Sequence, residues 1–163
     1  MIIQVYDDDL INGTGVREVV FLQGCHHHCK GCFSPETWEF KKETPETLSK
    51  SSKFKTRVLK KLRESYIDGI TITGGDPLAP ENLKETEELC TMAKAYNKTV
   101  WVYSGYTWDK VKDLFIMNLI DVLCEGPFIE SLKSPDKPWV GSSNQRVLDV
   151  KASLNLGNPT EIK

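Results

Sequence analysis

Three cysteines, Cys25, Cys29 and Cys32, stand in the run Gly24-Cys25-His26-His27-His28-Cys29-Lys30-Gly31-Cys32, a C-x3-C-x2-C spacing. Thiolates are soft donors that select iron–sulfur clusters, zinc or cuprous copper. Metal chemistry with thiolates usually takes four protein ligands, and this run supplies three. An iron–sulfur cube held by three thiolates keeps one iron open to a small molecule, and an open iron can do chemistry. Zinc is the rival, because imidazole from His26, His27 or His28 is a common zinc ligand. Structural zinc sites, however, pair their first cysteines with a distant second half, and here Cys90 and Cys124 each stand alone. Three consecutive histidines in a short loop cannot all face one ion, so most of them are expected to point to solvent or to pack around the cluster.

A second run, Thr73-Gly74-Gly75-Asp76-Pro77, follows a strand-like segment. Glycines let the backbone approach a ligand with no Cβ in the way, and Asp76 can accept a charge-assisted hydrogen bond from an ammonium group. Alone, a glycine pair after a strand is ordinary turn chemistry. The cysteine triplet that precedes it makes ligand binding the better reading.

Together these two runs resemble the radical S-adenosylmethionine superfamily. The likeness narrows with Gly13-Thr14-Gly15-Val16-Arg17, Phe21-Leu22-Gln23-Gly24-Cys25, Cys32-Phe33-Ser34-Pro35-Glu36-Thr37-Trp38, Gly74-Gly75-Asp76-Pro77-Leu78, Trp101-Val102-Tyr103-Ser104-Gly105-Tyr106 and Gly126-Pro127-Phe128, which look like the glycyl-radical activating branch. Trp139-Val140-Gly141-Ser142-Ser143-Asn144-Gln145-Arg146-Val147 looks like the C-terminal signature of the activating enzymes of anaerobic (class III) ribonucleotide reductase. Gly31 stands where much of the superfamily has an aromatic residue, and Asp76 where many members have Glu. Both swaps are usual in this branch.

The resemblance implies a set of roles. Cys25, Cys29 and Cys32 hold a [4Fe-4S] cluster whose open iron chelates the methionine moiety of S-adenosyl-L-methionine. The backbone at Gly31, Cys32 and Phe33 meets the adenine, Gly74, Gly75 and Asp76 meet the methionine, and Ser104 is a further ligand contact. Glu125 reads either as another contact or as a solvent-exposed side chain. An electron from a low-potential donor such as flavodoxin or ferredoxin cleaves the S–C5′ bond, and the resulting 5′-deoxyadenosyl radical takes a hydrogen from a glycine Cα of the reductase's large subunit. No catalytic acid or base is required, since the cofactor carries the chemistry and the protein binds and orients it. The alternatives are an activase for another glycyl-radical enzyme, of the formate-lyase type, and a non-catalytic iron–sulfur or zinc module.

The elements that must position these residues are legible as period. Strand-like runs lie at 19–22, 70–73, 100–103, 119–123 and 146–150, each bounded by turn residues. Between them, Phe54, Val58, Leu62 and Tyr66 fall at helical steps; Leu83, Leu89, Cys90, Met92, Ala93 and Tyr96 make a second apolar face, and Val111, Leu114 and Phe115 a third. Pro45, Pro80 and Thr107 read as helix starts, and Asp68-Gly69 and Asn97-Lys98 as stops. Strands alternating with helices give βαβ units and a parallel sheet, with the active face at the strand C-termini. Cys25, Gly74-Gly75-Asp76, Ser104 and Glu125 each follow a different strand, so their loops can converge.

The chain has 163 residues, 39% hydrophobic and 27% charged, which suits one globular domain spanning 1–163. A full (β/α)8 barrel takes about 250 residues and at least about 200. The expected fold is therefore α/β, a partial (incomplete) β/α barrel with a mostly parallel sheet and one open side. The 130–139 segment is expected to be a loop, and 151–163 is a candidate mobile tail.

A net charge of −2 and no long Lys/Arg block argue against a nucleic-acid partner. The basic Lys53 to Arg63 stretch reads as the solvated face of a helix. No run reaches the roughly 18 apolar residues of a membrane span, and nothing near Met1 resembles a leader. The expected location is cytoplasmic, where cysteines serve as ligands or free thiols rather than disulfides. Cys90 and Cys124 are expected to be buried. Trp38, Trp101, Trp108 and Trp139 are expected to pack as core or interface aromatics.

Overall fold

A computed structural model describes residues 1–162. Six strands form one open sheet in chain order: β1 (Ile2–Asp9), β2 (Arg17–Leu22), β3 (Gly69–Gly74), β4 (Thr99–Ser104), β5 (Val122–Glu125) and β6 (Arg146–Asp149). The central pairings, β2 with β3, β3 with β4 and β4 with β5, are parallel. The outer strands β1 and β6 are antiparallel to their neighbours. The molecule is thus mixed α/β with a mostly parallel sheet that does not close.

Parallel neighbours need crossovers, and the helices supply them. α1 (Pro45–Leu62) links β2 to β3, α2 (Leu83–Ala95) links β3 to β4, and the short α3 (Trp108–Val111) begins the link to β5. α1 starts at Pro45 because Thr44 and Thr47 cap each other: Thr47 N donates to Thr44 Oγ1 (3.2 Å) and Thr44 N to Thr47 Oγ1 (2.8 Å). Its Val58 and Leu62 are fully buried with Phe54 beside them, and each such aliphatic contributes about 1.5–3 kcal/mol by leaving water. α2 buries Leu89, Cys90 and Ala93 on the same face of the sheet, and ends before Asn97, whose φ of 56° turns the chain into β4. Among the described residues no helix is long and apolar enough to cross a membrane.

Three departures from the sequence reading have local causes. β1 carries no strong strand signal, because Asp7-Asp8-Asp9 lowers its β propensity; a bulge between Tyr6 and Asp9 accommodates these residues against β2. The expected helix through Val111, Leu114 and Phe115 covers only Trp108–Val111, since Leu114 turns extended (ψ 135°) and leaves Phe115 exposed. The strand expected at 119–123 begins instead at Val122, because the Asp121 carboxylate accepts from Val100 N (2.7 Å) and Lys94 Nζ (2.5 Å) and ends the preceding turn. The second helix starts at Leu83 rather than at Pro80. The start of the expected 151–163 tail lies in α4 (Val150–Leu156), capped by the Asp149 side chain on Ala152 N (2.8 Å), and Ile162 N donates to Val147 O (2.9 Å); Lys163 lies outside the described residues.

Candidate iron–sulfur site

β2 ends at Leu22, and Gly24 (φ 104°) turns the chain into the cysteine loop. The loop closes on itself: Gly24 N donates to Thr37 O (2.7 Å) and Cys25 N to Trp38 O (2.9 Å), so residues 25–38 form one excursion. Within it Cys32 N donates to Cys29 O (3.0 Å), a tight turn that brings these two cysteines to one side. All three cysteines are half-buried and unpaired. Burial pushes the Cys25 thiol up, and the N–H groups of His27 and His28 partly offset that. Ser34 N lies 3.4 Å from Cys32 Sγ. Half-buried soft donors with main-chain N–H groups near the sulfurs fit an iron–sulfur cluster, whose potential depends on exposure and on hydrogen bonds to sulfur.

The three histidines turn to three different partners. His26 Nε2 meets the Glu81 carboxylate (3.0 Å) and its ring stacks on Phe40. His28 stacks on Trp38. His27 Nε2 donates to Asp76 Oδ2 (2.8 Å), with its ring edge-on to Tyr106. Among the described residues no three His, Cys, Asp or Glu side chains surround a single ion position. The three thiolates of a four-iron cube each bind a separate iron, so such a cluster does not require that arrangement.

Asp76 is the junction of the site. It is 1% exposed, at the end of the β3 turn. Its Oδ1 accepts from Leu78 N (2.8 Å) and Ser104 Oγ (2.8 Å), and its Oδ2 from His27 Nε2 and Gly105 N (2.9 Å). One carboxylate therefore ties the cysteine loop after β2, the turn after β3 and the end of β4. Asn82 reinforces it, donating to Gly24 O (3.1 Å) and Asp76 O (2.9 Å). The glycines beside it serve the same packing. A Cβ at Gly75 would lie 2.3 Å from Gly24 O, and one at Gly74 (φ 99°) 2.7 Å from the Leu22 backbone. Ser104, expected as a ligand contact, spends its hydroxyl on Asp76.

The loop after β5 completes the arrangement. Gly31 in the cysteine loop abuts Phe128 and Glu130, and Lys30 pairs with Glu130 (3.1 Å). Glu125 is neither solvent-exposed nor free: at 2% exposure it pairs with Arg146 and accepts from Trp108 N (2.9 Å). Phe33 is 98% exposed, its side chain standing in solvent. Cys90 on α2 and Cys124 on β5 are buried, each thiol pushed up to about 12 by burial. The sequence reading missed His27 as a partner of Asp76, and the available signal was only its place between Cys25 and Cys29.

Residues 11–148 match the family model described as a 4Fe-4S single cluster domain. The chain is 36% identical over 146 residues to the anaerobic ribonucleoside-triphosphate reductase-activating protein of Enterobacteria phage T4, covering 88% of this chain and 90% of that protein. The proteins of that name from Salmonella typhi and Escherichia coli K12 are 37% and 35% identical over 150 residues, covering 88% of this chain and 95% of each of them. A single-cluster domain, a three-cysteine loop and this identity across nearly the full length converge: the chain belongs to the family of anaerobic ribonucleoside-triphosphate reductase-activating proteins.

Proposed function

We propose that this protein is a radical S-adenosylmethionine enzyme of the glycyl-radical activating branch, and that it activates an anaerobic ribonucleoside-triphosphate reductase. The observation that carries the reading is the Asp76 junction, which sets the three unpaired cysteines and the Gly74-Gly75 turn in one rigid frame at the C-terminal ends of β2, β3 and β4. Cys25, Cys29 and Cys32 would hold a [4Fe-4S] cluster. S-adenosyl-L-methionine would meet the backbone of Gly31, Cys32 and Phe33, the Gly74-Gly75-Asp76 turn and Ser104. When bound, the two supply reductive cleavage of the sulfonium, driven by a low-potential flavodoxin- or ferredoxin-type donor, and hydrogen abstraction from one glycine Cα of the reductase's large subunit.

The chain's own residues bind, orient and exclude water. Asp76 holds the cysteine loop against β4 through His27, Ser104 and Gly105, fixing the distance between the thiolates and the glycine turn. The loop after β5 reaches back over β3 and β4 to Gly31, which supports reading the open sheet as a partial β/α barrel. A sheet that does not close leaves room for a macromolecular substrate. Five unpaired thiols suit the cytoplasm.

The test is electron paramagnetic resonance on the reconstituted, reduced protein given S-adenosylmethionine under strict anaerobiosis. A glycyl-radical doublet is expected on an anaerobic ribonucleotide reductase and none on a formate-lyase control. Radical formation on the formate-lyase alone would overturn the partner and leave the chemistry standing; no S-adenosylmethionine cleavage at all would overturn both.

A further inference from the structure

The polar run Gly141 to Arg146 has no role in the site as described, yet its side chains are not free. Gln145 Oε1 accepts from the main-chain N–H groups of Gly141 (2.9 Å) and Ser142 (3.1 Å), while its Nε2 donates to Gly126 O (2.9 Å). Asn144 Nδ2 donates to Pro127 O (2.8 Å). Ser142 Oγ accepts from Ile129 N (3.2 Å), and Ser143 N donates to Leu132 O (2.8 Å). Arg146 pairs with Glu125. Among the described residues, the side-chain bonds that leave the run all end on residues 125–129, while its main chain also accepts from Ser134 N (3.1 Å, at Gly141 O) and Lys137 Nζ (2.5 Å, at Gln145 O); none reaches a cysteine, Asp76 or Ser104.

That target segment in turn lies on the cysteine loop. The Phe128 ring sits between two glycines: a Cβ at Gly31 would lie 3.3 Å from its Cε1, and one at Gly141 3.0 Å from its Cδ2. Both glycines leave the ring its place, one from the cysteine loop and one from the polar run. A Cβ at Gly141 would crowd the ring toward Gly31, and one at Gly31 would meet Glu130 Oε1 (3.0 Å) as well as the ring. Among the described residues, Gln145 is the one side chain that bonds both sides of this arrangement, the Gly141–Ser142 backbone and the Gly126 carbonyl at the base of the Phe128 loop.

We propose that Gly141–Arg146 is a brace, with Gln145 as its positioning residue, that seats Phe128 against Gly31 and so holds the cysteine loop closed from outside. The run would act on the cluster through Phe128 rather than by touching cofactor or partner. The inference rests on the reading that Cys25, Cys29 and Cys32 bind the cluster, but half of its test does not.

Hydrogen exchange on the cluster-free, reduced full chain reads the brace directly. In Gln145→Ala, amides of Gly141, Ser142 and Cys29–Ser34 should exchange about tenfold faster, the equivalent of one lost hydrogen bond, with amides of β3 and β4 unchanged. The second readout is the rate at which a ferrous chelator bleaches the reconstituted cluster, expected to rise several-fold in Gln145→Ala and in Phe128→Ala, and no further in the double variant. Additive effects, or unchanged exchange in Cys29–Ser34 in a folded Gln145→Ala protein, would overturn the brace. Should Gln145→Ala fail to fold, Gln145→Glu keeps the acceptor for Gly141 and Ser142 while losing the donor to Gly126, and the same two readouts apply. A cluster that persists in Cys29→Ala would instead sink the ligand assignment and leave the exchange result to judge the brace alone.

Discussion

Replacing Asp76 by asparagine tests whether this residue is mainly a junction or mainly a free ligand group. An asparagine has one oxygen and one NH2 in place of two carboxylate oxygens. With the NH2 on the Oδ2 side, His27 can present an acceptor nitrogen by changing tautomer, but Gly105 N–H then faces another donor. With the NH2 on the Oδ1 side, Ser104 can rotate its hydroxyl, but Leu78 N–H is left facing a donor. Either way one main-chain N–H inside the junction loses its partner.

An unpaired buried donor costs about 1–3 kcal/mol, and for a chain of this size each kcal/mol shifts Tm by about 2–4 °C. The expected fall is therefore about 2–12 °C. Thermal unfolding of the cluster-free, reduced protein measures it with no cofactor involved. A Tm within about 1 °C of the parent would refute the junction. If the fall is seen, S-adenosylmethionine titration of the reconstituted variant should also show weaker binding, because the turn that would meet the ligand is no longer held by β4.

Two further outcomes follow from the same geometry. Single Ala substitutions at Cys25, Cys29 or Cys32 should abolish the cluster's visible absorption on anaerobic reconstitution, whereas Cys90→Ala and Cys124→Ala should keep it, their thiols being buried elsewhere. Glu18, fully buried beside Asp7, has its carboxyl pushed up to about 8 by burial first and then by Asp7, with Arg57 and Lys61 on the α1 side and Asp8 N on β1 as its other charged and polar neighbours. The folded state thus holds a proton that the unfolded state releases near 4.5, so stability is full below that value and is lost as pH rises toward about 8. Glu18→Gln supplies a permanent donor to Asp7, and its Tm should stay flat between about pH 6 and pH 9 while the parent's falls; parallel curves would show that no proton is held there.

What the sequence made legible was local. Cysteine spacing, a glycine turn, helical apolar steps and β-rich runs each carry their information within a few residues, and the central strands and the two long helices followed from them. Polar residues whose partners are distant were not legible. Arg17 and Glu18 are adjacent charges at a strand start, a pattern that ordinarily faces water, yet both are 0% exposed. Asp76 was readable as a ligand group but not as a saturated one, because His27, Ser104 and Gly105 reach it from other loops.

Arg17 explains why these distant bonds matter to the site. Its guanidinium, held down to about 10 by burial and still charged at neutral pH, donates to Thr71 Oγ1 (2.7 Å), Ile70 O (2.6 Å), Thr99 Oγ1 (2.9 Å) and Thr14 O (3.1 Å). Those bonds join β2, β3 and β4 at their N-terminal ends, in the row where Arg17 pairs with Gly69 and Gly69 with Thr99. In parallel strands a register fixed at one end is fixed at the other. The same alignment brings Leu22 beside Gly74 and carries β4 to Ser104, so the three loops leave the sheet level with one another and one carboxylate can span them. The motifs supply the chemistry of the site; the unadvertised arginine at the far end of the sheet sets the register in which they meet.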